Sequence, residues 1–67
     1  MEVTKDSLIL DLVMEYPQLE DVFKPYDEII GKCVMCHHLF ETLDEFSSLY
    51  NLVLSSLLSE IKEKIQG

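Results

Sequence analysis

The 67-residue chain contains no Trp, no Ala and no Arg, and only two each of Gly, Pro and Cys. Five lysines face thirteen Asp and Glu, for a net charge of −8. Without arginine, and with so few lysines, no cationic face can track a phosphate backbone, so DNA and RNA are not expected as partners. The same balance argues against docking on an anionic membrane. No long apolar run exists either. The stretch from Leu8 to Met14 is broken by Asp11 and is far short of the roughly 20 residues that span a bilayer. Residues Met1-Glu2-Val3-Thr4-Lys5-Asp6 do not read as a basic then apolar leader, so a cytoplasmic location is expected, where thiols are usually kept reduced. The scarcity of Gly and Pro leaves no linker, repeat or low-complexity segment, and residues 1–67 are expected to form one small helical domain.

What is present is branched and aliphatic: eleven Leu, five Ile and five Val. A chain this short buries only about 60% of the surface its unfolded form exposes. That supply is enough for a small core and leaves apolar surface for a partner, with a homodimer as one outcome. The order of the elements follows from local chemistry. Thr4 to Ser7 is a polar opening, after which Ile9, Leu12, Val13 and Tyr16 recur at helical spacing. Tyr16-Pro17 ends that helix, because a residue before Pro is pushed out of the α region.

Pro17 suits the first turn of the next helix, Glu20 and Asp21 favour its dipole, and Leu19, Val22 and Phe23 are its buried face. Pro25 is expected to stop it, with residues 25–30 forming one more short turn that closes at Gly31 in a left-handed cap. Thr42 and Glu45 form a capping box for a helix lined by Leu43, Phe46 and Leu49 or Tyr50, and Asn51 suits a left-handed cap after it. The last helix places Leu54, Leu57, Leu58, Ile61 and Ile65 on one side, with Ser55, Ser56, Ser59, Glu60, Lys62 and Glu63 toward water. The expected fold is all-α, a compact single-domain bundle of about five short helices.

Chemistry concentrates in one place, Cys33, Cys36, His37 and His38. A redox dithiol needs two sulfurs within bonding reach, and a spacing of three at a helix start supplies that. Amide groups at the helix start stabilise a thiolate, as do nearby cations, here Lys32 and, in supporting roles, His37 and His38. The nearest acids along the chain, Glu28 and Glu41, are each five residues from the closer Cys. With a Debye length of about 8 Å at physiological salt, distant acids count little, and the local effects are expected to win over the net charge. Cys33 is expected to attack and Cys36 to resolve.

A metal role for Cys33, Cys36, His37 and His38 is the alternative, although a structural zinc site takes four ligands and adjacent histidines fit one ion poorly. Cys33 to His37 also matches the haem-attachment pattern C-x-x-C-H, but covalent attachment requires export. The plain reading is that both cysteines are buried small hydrophobes. Glu41, Asp44 and Glu45 read as capping and dipole residues, Met14 and Met35 as gap fillers, and Tyr16, Tyr26 and Tyr50 as packing residues with a wet hydroxyl. No bound cofactor is expected.

The order of several short pieces resembles a family of small bacterial and archaeal domains described as the hybrid-cluster-protein-associated redox disulfide domain. The pieces are Val3-Thr4-Lys5-Asp6, Glu15-Tyr16-Pro17-Gln18-Leu19 with Val22-Phe23, Cys33-Val34-Met35-Cys36, Glu41-Thr42-Leu43-Asp44-Glu45, and Leu57-Leu58 with Ile61. The resemblance spans nearly the whole chain and implies an all-α bundle of about five helices. It also implies that the working residues are Cys33 and Cys36, and that the partner is another protein, of redox or iron–sulfur type. The chain departs from the pattern at Tyr26-Asp27, where many members carry Tyr-Gly. It departs again at Asn51 and Val53, where Gly and an acidic cap are common, and at His37-His38.

Overall fold

In the computed structural model, which describes residues 2–67, five α-helices follow one another: α1 Ile9–Glu15, α2 Glu20–Ile30, α3 Val34–His37, α4 Leu43–Leu49 and α5 Leu54–Gln66. A 3-10 turn over Pro17–Leu19 joins α1 to α2, with Pro17 as its first residue. Among the described residues no strand forms, and Leu8 and Thr42 make an isolated antiparallel bridge. The all-α bundle of short helices is therefore the architecture.

That bridge marks a seam between two helix starts. Leu8 precedes α1 and is apolar, so its side chain cannot cap the helix. The first amides of α1 turn instead to a loop: Ile9 N–H donates to the Glu41 carbonyl at 3.0 Å and Leu10 N–H to the Leu39 carbonyl at 2.8 Å. In return, Leu43 and Asp44 at the start of α4 donate to the Ser7 and Lys5 carbonyls at 3.1 and 2.9 Å. Each helix start satisfies the other's orphan amides. Thr42 closes the expected capping box, its hydroxyl accepting from Glu45 N–H at 3.1 Å and its own N–H donating to Glu45 Oε1 at 3.0 Å.

Three further expectations hold: α1 ends at Glu15 before Tyr16-Pro17, Gly31 adopts the left-handed conformation at φ 73°, and Asn51 does so at φ 58°. A Cβ at position 31 would meet nothing within 4 Å, so glycine is favoured there by backbone conformation alone.

Pro25 does not stop α2. The helix runs through it to Ile30. Proline withholds the N–H that the Asp21 carbonyl would accept from, but Asp21 and Pro25 both face solvent, where water can replace the lost bond. Packing of Phe23 and Tyr26 on the other side keeps the helix whole.

The core is built from Val3, Ile9, Leu12, Leu19, Phe23, Val34, Leu43, Phe46, Leu57 and Ile61. Phe46 of α4 is its hub: its ring meets Phe23 edge-on at 6.5 Å and Tyr26 at 6.3 Å, both from α2. Truncating Phe23 or Phe46 to Ala costs about 3–5 kcal/mol at sites like these. The polar side of α5 is outward as expected, and Leu54, Leu58 and Ile65 pack half-buried against the core. At α4 it is Tyr50 that packs, while Leu49 is 60% exposed. Met14 is 71% exposed and fills no gap, whereas Met35 does pack on the core.

Candidate functional site: the Cys33–Cys36 turn

The chain leaves α2 at Gly31, passes Lys32, and enters α3 with Cys33 as its N-cap residue in extended conformation. Cys36 lies in the single turn that follows, and the two cysteines are joined in a disulfide with their Cα atoms 5.2 Å apart. That separation lies inside the roughly 4.4–6.8 Å that disulfides need. The Cys33 carbonyl accepts from the amides of Cys36 and His37 at 3.3 and 3.2 Å, so the turn is closed by backbone and by sulfur together.

Both ends of the turn are tied to the rest of the molecule. At the start, Val34 is fully buried, and its N–H donates to Asp27 Oδ1 of α2 at 2.8 Å. The carboxylate occupies the first amide of α3 and places negative charge beside Cys33. It lies six residues before Cys33, yet it counts for more than Glu28, because α2 carries it onto the turn. Its charge opposes a standing thiolate at Cys33. The local balance that favoured Cys33 as the attacking sulfur is thereby weakened.

At the far end, His38 is 6% exposed. Its Nδ1 lies 2.8 Å from Glu41 Oε2, and its Nε2 lies 2.6 Å from the Tyr50 hydroxyl. A carboxylate only accepts, so Nδ1 carries the proton, and in the neutral imidazole Nε2 then accepts from the Tyr50 O–H. The His38 ring packs on Phe46 at 5.5 Å and edge-on to Tyr50 at 5.2 Å. Glu41 thus serves as the partner of a buried histidine, and the capping role expected for it is corrected. Its other oxygen, Oε1, is buried and has no hydrogen-bond partner among the described residues.

The four residues singled out in the sequence separate into three kinds. Cys33 is half-buried, Cys36 and His37 are exposed, and His38 is buried with both nitrogens engaged. Lys32 is exposed and makes no ion pair among the described residues. His38 therefore has no nitrogen free for a metal, and among the described residues no group of three His, Cys, Asp or Glu is placed to hold one. Two clefts, about 180 and 290 Å³, lie at the end of α5, one lined by Glu2, Val3, Lys62, Ile65 and Gln66 and the other by Gln18, Lys64, Ile65 and Gly67. Neither reaches a cysteine. No helix among the described residues is long and apolar enough to cross a membrane.

Asp27 and Tyr50 are the polar residues that sequence reasoning missed here. Asp27 is legible only once α2 continues through Pro25, since only then does it sit in the last turns of a helix leading into the cysteines. Tyr50 meets His38 from twelve positions away, at the far end of α4, which no local pattern reports. No family model matches the chain, and neither a curated protein nor a solved structure does.

Proposed function

We propose that this chain is a redox-active disulfide module that exchanges electrons with a larger redox or metalloprotein. The observation that carries the reading is the Cys33–Cys36 disulfide, closed across one helical turn and exposed at Cys36. A loop this short gains only about 2 kcal/mol from chain entropy, so stability alone is a weak reason to keep the pair. The exchange is a two-electron step. A partner dithiol becomes a disulfide, the Cys33–Cys36 disulfide becomes two thiols, and two protons pass with the electrons. The resemblance to the redox disulfide family supports the same assignment and the choice of a redox or iron–sulfur protein as partner. The clefts lie away from the sulfurs, which favours a macromolecular partner over a small substrate.

The test is a titration of the pair against thiol/disulfide buffers, read by alkylation and mass. A midpoint between about −180 and −300 mV places it among exchanging disulfides. A pair that stays oxidised far below that range, or never oxidises, makes the cysteines passive.

A second reading has its own observation. Met14, Ile29, Phe40, Leu49 and Val53 are between 60% and 80% exposed, much apolar side chain for so small a molecule. They favour an interaction or dimerisation domain. Thiols of the reduced protein that resist alkylation until denaturation would support it over the redox module. Metal handling through Cys33, Cys36 and a histidine is left with His37 alone, because His38 is committed to Glu41 and Tyr50.

A further inference from the structure

We infer that Cys36, and not Cys33, is the sulfur that bonds to the partner, and that Cys33 is the sulfur that leaves and later resolves. The inference rests on the redox reading above and deepens it. Position in the helix alone argues the other way, since Cys33 is nearer the amide end of α3. Two observations reverse that order.

The first is access. Attack on a disulfide depends on which sulfur can be reached, along the line of the bond and from the side away from the leaving sulfur. Cys36 is exposed, and His37 after it is exposed as well. Cys33 is half-buried and adjoins the fully buried Val34. A partner protein brings its sulfur on a bulky surface, so the difference in access weighs more than it would for a small thiol. The second is charge. The Asp27 carboxylate on Val34 N–H lies at the Cys33 end of the turn and, in the reduced chain, opposes a nucleophilic thiolate at Cys33. In the reduction step the same charge slows the departure of Cys33, so there access alone selects Cys36.

The steps balance as follows. A thiolate of the partner dithiol attacks Cys36 Sγ, a partner–Cys36 bond forms, and the Cys33–Cys36 bond breaks. Cys33 leaves with the electron pair and takes a proton from solvent. The partner's second thiol, having lost its proton, attacks the partner's own bonded sulfur and releases Cys36 as a thiolate, which takes the second proton. In the opposite direction Cys36 attacks a partner disulfide, and Cys33 closes back on Cys36. By microscopic reversibility the same sulfur carries the mixed disulfide both ways.

The experiment uses glutathione disulfide as probe on the reduced chain. Reduced Cys33→Ser is expected to take glutathione onto Cys36 about tenfold faster than reduced Cys36→Ser takes it onto Cys33. Equal rates, or the opposite order, overturn the inference. Should either variant fail to fold, the reduced wild-type chain decides: with less than one equivalent of iodoacetamide, fragment masses place the first adduct on Cys36. A first adduct on Cys33 overturns the inference while leaving the redox module standing. Failure of the wild-type pair to equilibrate with glutathione buffers overturns the redox reading itself, and the inference with it.

Discussion

The Asp27 carboxylate of α2 accepts a hydrogen bond from the Val34 amide at 2.8 Å, and this contact holds the disulfide turn against the helix before it. It acts in two ways at once. As an acceptor it satisfies an amide that a one-turn helix leaves open. As a charge it sits at the end of the turn where a thiolate at Cys33 would develop.

Two substitutions separate these effects. Asp27→Ala removes both and is expected to cost about 1 kcal/mol in chemical denaturation, as loss of a helix-start cap does. Asp27→Asn keeps an acceptor of similar quality and removes the charge. Its stability should stay within about 0.5 kcal/mol of wild type, while iodoacetamide alkylation of the reduced Cys33 at pH 7 rises about two- to fivefold. An unchanged alkylation rate in Asp27→Asn would show that the carboxylate acts on the turn through geometry alone.

Much of the backbone course was legible because its punctuation is local. Tyr16-Pro17, Gly31, the Thr42–Glu45 box and Asn51 each act within four residues, through sterics or a single side-chain bond, and each stands where expected. The apolar face of α5 was legible for a similar reason, since one helical period decides it. Pro25 shows where such reasoning fails. Its cost depends on whether the freed carbonyl meets water or core, and that is a property of the folded molecule. The site followed the same division. The pairing of Cys33 with Cys36 is a short-range matter. The contacts of Asp27, Glu41 and Tyr50 depend on how α2, α3 and α4 meet, and those meetings are set by Phe23, Val34 and Phe46 in the core.

The Glu41–His38–Tyr50 chain should behave as one unit. Tyr50→Phe leaves His38 Nε2 without its partner and is expected to cost about 1–2 kcal/mol. His38→Ala strands both Glu41 and Tyr50 and removes a ring from against Phe46, for roughly 2–4 kcal/mol. In the double variant the losses should overlap by at least about 0.5 kcal/mol, as expected for groups in direct contact. Strict additivity in urea denaturation would mean that the 2.6 Å contact contributes nothing to folding.

Pro25→Ala tests why α2 survives its proline. The substitution returns an amide to the Asp21 carbonyl on the solvent side of the helix. Proline inside a helix costs about 3 kcal/mol relative to Ala, while losing its stiffening of the unfolded chain returns up to about 1 kcal/mol. The variant should gain roughly 2–3 kcal/mol and raise Tm by roughly 10–20 °C, at about 4–8 °C per kcal/mol for a domain of this size. A lower Tm would mean that the ring of Pro25 itself packs productively, against its exposed position.

Tyr26 ties α2 to α5 by donating its hydroxyl to Glu60 Oε2 at 2.7 Å. Burial, then the hydrogen bond to Glu60 and the charge of that carboxylate, push its phenol from 10.0 up to about 12. The folded chain therefore holds this proton more tightly than the unfolded chain. The resulting stability is fully present below pH 10, and it is lost as pH rises through about 12. Denaturation midpoints measured in steps from pH 9 upward should fall in wild type once pH 10 is passed. Tyr26→Phe cannot titrate, so its midpoint should start lower, by the loss of about 1 kcal/mol for one hydrogen bond, and fall less steeply. Parallel declines in the two proteins would assign the alkaline loss to groups other than Tyr26.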